Sequence, residues 1–528
     1  MYDFKNQNAA WFLKKTVKYY RFYIKIDLYN TQEETTMPCT TILIGKNATY
    51  DGSTIVARNE DSPSGEFCAK RLEVMKPEDQ PRLYKSVLSH VEIPLPETPF
   101  QYTYLPNSDT VEGIWGAYGV NEKNVSMTAT ETLTTNARVA GGDPLVRYKK
   151  SEGNEPEIVG GIGEEDMVTI TLPYISSARE GVERLGMLLE TYGTYEMNGI
   201  AFQDENEIWW LETIGGHNWI AKKVPDNEYV VMPNQFGIDS FDLDDAYGKK
   251  ENHMCSFSLK KLIQENHLDV RMDPEEEFNP RTAFGSHEDA DHVYNTPRAW
   301  VMLRYFNPRT FDWDGPDAEY RPEDDDLPWS LIPEKKITLE EVKWILSNYY
   351  QGTPYDVYGK DTGAGRYRPI GISRNNALGL VQIRPYMPED LKVLQWVALG
   401  SNVFNAMIPV YPGVDKMPEY LSKAYVKPTT ENFYWANRII AALADPHFYE
   451  NQSNIERYQL SSDRKVYEMI RKFDQEFQEK EPEDKKAFFE AANQEISDFI
   501  QEKTTELLDK VLFTSSCLMR NGFSRSDA

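Results

Sequence analysis

The 528-residue sequence predicts an α+β fold in which antiparallel β-sheet is covered by helices. From Cys39 onwards, short β-runs joined by turn residues dominate the chain, a pattern typical of β-hairpins. Helical patterns lie between these hairpins. Beyond about Asp445 the strand patterns stop and two charged, amphipathic helical segments follow. We therefore expect a main domain over 39–445 and a helical C-terminal extension over 446–528.

Three pairs of β-runs predict the hairpins, and each pair flanks a short polar turn. The pairs are 39–45 with 53–58, 113–120 with 124–130, and 199–203 with 207–212. A further strand is predicted over 228–232, where Pro233 ends the run.

Helices are predicted where apolar residues recur with the helical period. One apolar face consists of Ala178, Val182, Leu185 and Leu189. Gly193 follows this face as a stop signal, and Thr338 and Glu341 form a capping box at the start of another helix. The remaining predicted helices are 430–443, 461–480 and 483–512.

Composition excludes several classes of protein. The formal net charge of −27 argues against nucleic acid and against an anionic membrane surface as partners. Four cysteines without a C-x-x-C pair cannot form a disulfide framework or a zinc or redox motif. No apolar run approaches the ~18 residues of a membrane-spanning helix. We expect an acidic globular protein of a reducing compartment, the cytoplasm.

Residues 1–36 differ from the rest of the chain. They carry six basic and four acidic groups, many aromatic side chains, and neither Gly nor Pro. One interpretation is a pro-segment, ending at residue 38, that is removed on maturation. The other is a mis-assigned start, with Met37 as the true first residue. In both interpretations the functional chain begins near Cys39.

The common catalytic signatures are absent from the sequence. There is no G-x-S-x-G elbow and no phosphate-binding G-x-x-x-x-G-K-[ST] loop. His287 and His292 are five residues apart, whereas a zinc-binding H-E-x-x-H pair needs a spacing of four. We therefore expect neither a metal nor a cofactor.

Cys39 is the strongest candidate for a catalytic residue. If the chain were cleaved just before it, Cys39 would carry a thiol nucleophile and a free α-amine. An α-amine has an ordinary pKa of about 8 and can accept the thiol proton near neutral pH. Arg58 and Asp61 end the partner strand of the first hairpin. A hairpin brings them back beside Cys39, where Arg58 would favour the thiolate and Asp61 would hold the amine.

Several short runs resemble one family, the N-terminal-nucleophile cysteine dipeptidases of the dipeptidase A type, which are related to choloylglycine hydrolases and penicillin V acylases. The runs, in chain order, are Cys39-Thr40-Thr41, Asp51-Gly52-Ser53-Thr54, Ala57-Arg58-Asn59-Glu60-Asp61, Gly119-Val120-Asn121-Glu122-Lys123, Val231-Met232-Pro233-Asn234-Gln235, Asn295-Thr296-Pro297-Arg298 and Gln351-Gly352-Thr353-Pro354-Tyr355-Asp356. Their order and spacing carry the resemblance, which covers about 39–445.

The resemblance implies a four-layer αββα sandwich and autocatalytic removal of the residues before Cys39. It also implies thiol-dependent hydrolysis of small dipeptides with broad specificity. Cys39 would be nucleophile and base, Arg58 and Asp61 would tune it, and Asn234 would donate to the oxyanion. Arg298 would be a second active-site arginine.

One position differs from the pattern of the related bile-salt hydrolases. Where this chain has Glu131, the resemblance implies that those enzymes have an Asn that binds the oxyanion. A carboxylate cannot stabilise an oxyanion, but it can bind an ammonium group. We expect Glu131 to bind the free α-ammonium of a dipeptide; the alternative is a solvated glutamate at a strand end.

Two other functions stay open at the level of sequence. One is an N-acyl amide hydrolase of the bile-salt hydrolase or penicillin V acylase kind. The other is a non-catalytic scaffold protein that uses residues 1–36 as a docking arm. The C-terminal helices are candidates for holding a homo-oligomer together.

Overall fold

The computed structural model describes residues 39–63, 67–129, 131–273 and 275–520. The predicted pro-segment or upstream extension, residues 1–38, lies outside the described residues and stays a prediction. In the described part of the chain, no helix combines the length and the apolar character needed to cross a membrane.

The described strands lie between Cys39 and Val410. The described strands are β1 (Cys39–Ile44), β2 (Thr54–Asp61), β3 (Glu73–Met75), β4 (Leu83–Lys85), β5 (Glu92–Pro94), β6 (Tyr102–Tyr104), β7 (Tyr118–Asn121), β8 (Ser126–Thr128), β9 (Glu131–Leu133), β10 (Met197–Gln203), β11 (Ile208–Thr213), β12 (Trp219–Lys223), β13 (Tyr229–Met232), β14 (His253–Cys255), β15 (Ser330–Leu331), β16 (Asn375–Ile383), β17 (Val393–Leu399) and β18 (Ile408–Val410).

Helices lie between the strands and make up most of the described chain after β18. The described α-helices are α1 (Ala137–Gly142), α2 (Glu164–Thr171), α3 (Ala178–Tyr192), α4 (Leu243–Tyr247), α5 (Leu259–Glu265), α6 (Pro280–Phe284), α7 (Asp291–Tyr294), α8 (Thr296–Phe306), α9 (Leu339–Ile345), α10 (Glu419–Ser422), α11 (Phe433–Ala444), α12 (Phe448–Lys480) and α13 (Lys485–Cys517). Short 3-10 turns are Pro77–Asp79, Leu172–Tyr174, Glu389–Leu391 and Asp445–His447.

The strands form two large sheets and one small ribbon. The first sheet has seven strands in the order β15-β13-β1-β2-β16-β17-β18. The second has nine, in the order β14-β12-β11-β10-β8-β7-β6-β3 with β9 also on β10, and β4 pairs with β5. The pairings between these strands are antiparallel. The mixed α/β architecture with antiparallel sheets is the one that the sequence predicts.

The local predictions are confirmed, although the strands of the second hairpin are shorter than predicted. The three predicted hairpins are β1–β2, β7–β8 and β10–β11. Gly193 ends α3 with a φ of 70°, a conformation that suits glycine. Thr338 and Glu341 form the predicted capping box of α9.

The two large sheets contact each other through side chains that point between them. The Tyr118 hydroxyl on β7 donates to the carbonyl of Trp396 on β17 at 2.9 Å. Thr103 on β6 donates to Gln395 on β17 at 2.7 Å. Gly379 on β16 leaves the space that the Tyr118 ring fills. The sheets are therefore packed closely enough that one position between them admits no side-chain carbon.

Helices pack against both sheets. The apolar faces of α2 and α3 share a buried cluster with β10 and β11 of the second sheet. Helices α8, α9, α12 and α13 share another cluster with the first sheet. Within it, Arg384 after β16 pairs with Asp474 of α12 at 2.6 Å, and Tyr411 after β18 donates to the same carboxylate at 2.9 Å.

The C-terminal helices α12 and α13 are longer than the sequence pattern predicts, and each spans 33 residues. They bury an apolar face against the first sheet. The outer face of α12 carries charged pairs at a spacing of four residues, and that of α13 carries one at a spacing of three. The helical nature of the C-terminal part is thus confirmed. The division into domains at 445 stays a prediction.

We expect Gly379→Ala to lower the free energy of unfolding by about 1–3 kcal/mol, because the new methyl group would overlap the buried Tyr118 ring. Gly413→Ala is the matched control, since a methyl group there meets no neighbouring atom within 4 Å. Denaturant unfolding of both variants measures the difference. Equal stability of the two variants would contradict the close contact between the sheets.

Candidate active site

Cys39 is the first residue of β1 and lies in the middle of the first sheet, between β2 and β13. The register places Cys39 opposite Glu60 and Thr41 opposite Arg58. Directly paired residues present their side chains on the same face, and that face alternates along the strand. Cys39, Arg58 and Glu60 therefore share one face of the sheet.

Arg58 reaches the sulfur of Cys39. Its Nη2 atom lies 2.8 Å from Sγ, and its Nη1 atom donates to the carbonyl of Ala117 at 3.0 Å. The arginine is only 2% exposed. A buried guanidinium at this distance favours the thiolate over the thiol.

Two buried carboxylates surround the same guanidinium. Glu164, the first residue of α2, lies 2.7 Å from Nη2, and Glu60 lies 3.4 Å from Nη1. Lys70 in turn pairs with Glu60 at 2.6 Å. Charge pairing of this kind offsets the cost of burying Arg58.

Asn234 follows β13 and lies beside the start of β1. Its Oδ1 atom accepts a hydrogen bond from the backbone nitrogen of Cys39 at 3.0 Å and another from Arg298 at 2.8 Å. These two bonds define which end of the amide is oxygen. The buried Nδ2 atom has no hydrogen-bond partner among the described residues. The amide thus presents an unused donor beside Cys39.

Arg298, near the start of α8, is fully buried and holds the backbone of the first strand. Its Nη1 atom donates to the carbonyl of Cys39 and to the hydroxyl of Thr40, the latter at 2.7 Å. Its Nη2 atom also contacts Asn295 at 2.7 Å. Arg298 therefore connects β1 both to Asn234 and to α8, the helix in which Arg298 itself lies.

Asp61 is buried one residue beyond Glu60, so its side chain points to the other face of the sheet. It pairs with Arg368 and accepts from Asn375, the residue opposite it on β16. Burial lowers the pKa of Arg368 to about 9 even though the Cys39 sulfur opposes that shift. The predicted contact of Asp61 with the amine of Cys39 stays a prediction.

Glu131 begins β9, and its backbone pairs with Gly199 of β10. Its side chain lies outside the described part of the chain, as does all of Thr130. Its predicted contact with a substrate ammonium is therefore not tested.

The His, Cys, Asp and Glu side chains of the described residues bear on whether a metal could bind. Among the described residues, no group of three or more His, Cys, Asp or Glu side chains is arranged to hold a metal ion. His292, which the sequence analysis considered, lies 3.2 Å from Asp325. The chemistry available beside Cys39 is that of a thiol, two arginines and an amide.

No local signal in the sequence pointed to Glu164, Lys70, Arg368 or Asn375. Each is far from Cys39 along the chain and belongs to no short motif. One signal was available for Glu60, since it lies within the same run as Arg58 and two positions along the same strand face. Asn375 reaches the site through the pairing of β16 with β2, and the others reach it through packing between elements far apart in the chain.

Comparison with known proteins gives a consistent result. Residues 38–461 match the model of peptidase family C69. The chain is 53% identical to a protein named dipeptidase from Bifidobacterium longum, over 93% of this chain and 100% of that protein. It is 49% identical to a probable dipeptidase A from Streptococcus pyogenes serotype M18, over 93% and 98%. Identity to dipeptidase A from Lactobacillus helveticus is 43%, over 91% and 97%.

Proposed function

The chain belongs to peptidase family C69, and we propose that it is a cysteine-type dipeptidase whose nucleophile is the sulfur of Cys39. The observation that carries this proposal is the contact of 2.8 Å between Arg58 Nη2 and Cys39 Sγ. The names of the relatives support hydrolysis of dipeptides. The substrates would be small peptides.

The free α-amine of Cys39, exposed by autocatalytic removal of residues 1–38, would be the general base. A peptide-bonded nitrogen cannot accept a proton, whereas a free amine with an ordinary pKa of about 8 can. The resemblance to N-terminal-nucleophile hydrolases adds a four-layer αββα arrangement. The contacts between the two sheets and the helices on each support it.

Hydrolysis would proceed through a thioester. The amine takes the thiol proton, the sulfur attacks the carbonyl carbon of the peptide bond, and the carbonyl oxygen becomes an oxyanion. Collapse of this intermediate breaks the C–N bond, and the ammonium returns its proton to the leaving amine. Water then attacks the thioester carbonyl, which releases the amino-terminal amino acid of the dipeptide and restores the thiol.

The unused Nδ2 donor of Asn234 is suited to stabilise the oxyanion. Its amide is oriented in advance by Cys39 and Arg298, so no reorganisation is needed during the reaction. Asp61 would hold the α-amine, and Arg368 and Asn375 would keep Asp61 in place. Arg298 would maintain the position of Cys39 through its backbone carbonyl.

We propose the cytoplasm as the location of this peptidase, because its four cysteines are free thiols and the cytoplasm keeps thiols reduced. Self-association of the C-terminal helices into a homo-oligomer also stays a proposal. The exposed side chains on those helices, Leu460 at 73% and Phe513 at 72%, are compatible with it.

The proposed nucleophile predicts that the purified active protein begins at Cys39, measured by intact mass and N-terminal sequencing. We expect Cys39→Ala to lose at least ~10³-fold in dipeptide hydrolysis, because the thiol nucleophile is lost and with it the autocatalytic release of the α-amine. Cys517→Ala, at the exposed end of α13, is the control and should keep its activity. A thiol reagent should inhibit the enzyme and a chelator should not.

An active chain that retains residues before Cys39 would contradict the proposed base. Inhibition by chelator would contradict the metal-free mechanism. Preference for an N-acyl amide over every dipeptide tested would favour the acylase alternative, and a processed but inert chain would favour the scaffold alternative.

We expect Asn234→Asp to lower kcat by about 10²–10³-fold with little change in KM, because the aspartate keeps both acceptor contacts but loses the donor. Steady-state kinetics on one dipeptide measures kcat and KM separately. Thermal unfolding of the variant controls for folding. A kcat close to the wild-type value would show that Nδ2 does not touch the oxyanion.

For Glu131, which we propose binds the substrate ammonium, the measurement is the ratio of kcat/KM for a free dipeptide and its N-acetylated form. We expect Glu131→Gln to reduce this preference by about tenfold, because the amide has no charge to pair with an ammonium. Glu122→Gln, exposed in the turn between β7 and β8, is the control. An unchanged ratio in Glu131→Gln would remove Glu131 from the site.

A further inference from the structure

Glu164 and the sulfur of Cys39 contact the same nitrogen atom. Nη2 of Arg58 lies 2.7 Å from the Glu164 carboxylate and 2.8 Å from Cys39 Sγ. An arginine Nη atom carries two hydrogens, so it can donate to both at once. Glu164 and Arg58 are each only 2% exposed, so water does not screen the contact.

We infer that Glu164 is a positioning residue that aims Arg58 at Cys39 and sets how much of the sulfur is thiolate. The inference rests on the proposed role of Cys39 as nucleophile and adds a residue to that site. It concerns a residue 106 positions from Arg58 that reaches it from another element, helix α2.

The orientation of the Arg58 guanidinium group depends on Glu164. The other branch, Nη1, is held by the carbonyl of Ala117 and by Glu60, which Lys70 holds in turn. Glu164 supplies the charged acceptor for the branch that reaches the sulfur. Without that carboxylate, the buried Nη2 atom would lose a charged acceptor that lies 2.7 Å away.

Glu164 itself is held in place by the start of α2. Its backbone nitrogen donates to Glu196 at 2.7 Å, and the nitrogen of Gly163 donates to Asp166 at 3.0 Å. Burial raises the pKa values of both Glu196 and Asp166 well above the ordinary range, which favours their protonated forms. Protonation of these neighbours reduces the negative charge beside the ion pair.

Glu165, the next residue, makes different contacts. Its carboxylate accepts from the hydroxyls of Tyr195 and Ser86, at 2.5 Å and 3.0 Å, and burial raises its pKa. It is a buried glutamate in the same helical turn, and its hydrogen bonds are to hydroxyl groups rather than to Arg58. Glu165 thus offers a matched control.

Glu164 has two opposing effects on the sulfur. It aims a cation at Sγ, which favours the thiolate. It is also an anion that shares a nitrogen with Sγ and so lies within about 6 Å of it, which disfavours the thiolate. A substitution that keeps the acceptor but removes the charge separates the two effects from each other.

The experiment measures alkylation of Cys39 by iodoacetamide across a pH series in the full purified protein. Peptide mass spectrometry distinguishes this cysteine from Cys68, Cys255 and Cys517. We expect Glu164→Gln to react at least about threefold faster than wild type on the acidic side of the profile, because Arg58 stays aimed while the anion is gone. We expect Glu164→Ala to react at least about threefold slower, and Glu165→Gln to match wild type.

A merely structural role would move both Glu164 variants in the same direction, and that result would overturn the inference. Unchanged alkylation in both variants would overturn it too. A changed preference for free over N-acetylated dipeptides, with normal alkylation, would show that Glu164 binds the substrate ammonium instead. The assay uses no dipeptide, so it gives its answer even if wild-type protein proves to have no dipeptidase activity.

Discussion

The buried guanidinium of Arg58 is the interaction on which the rest of the site depends. It touches the Cys39 sulfur and two carboxylates in a region almost closed to water. Anionic partners reduce the cost of burying this cation, so packing of the segments that supply Glu60 and Glu164 against the hairpin stabilises the site. The ion pair of Arg58 with Glu164 thereby joins β2 of the first sheet to α2, the helix that packs against the second sheet.

The position of Cys39 at the start of a central strand has a second consequence. Because β1 is hydrogen-bonded to β2 on one side and β13 on the other, both neighbouring strands end beside the nucleophile. Arg58 and Asp61 come from one neighbour and Asn234 from the other. Arg298 then holds the backbone of the nucleophile from a helix. The site is thus built on strands whose positions the sheet determines, which suits chemistry that needs fixed geometry.

Sequence reasoning succeeded where the signal was local. The hairpin of Cys39 and Arg58 is confirmed, and its register places the two side chains in contact. The family resemblance is confirmed by the match over 38–461. The start of α12 and the end of α13 were less well predicted, and these parts of the two helices contribute to an apolar cluster shared with α11. Glu164 was missed because its partner is 106 residues away.

The sequence by itself determined the hairpins, the helices with clear caps, the candidate nucleophile and the family to which the chain belongs. These follow from periodicity, turn chemistry and short runs of residues, which act over a few positions along the chain. Only the tertiary structure decided which carboxylates face Arg58, which end of the Asn234 amide points away from Cys39, and which partners hold Asp61. Those contacts join residues far apart in sequence, and the requirement that buried charges and amides find partners selects them only once the two sheets have packed.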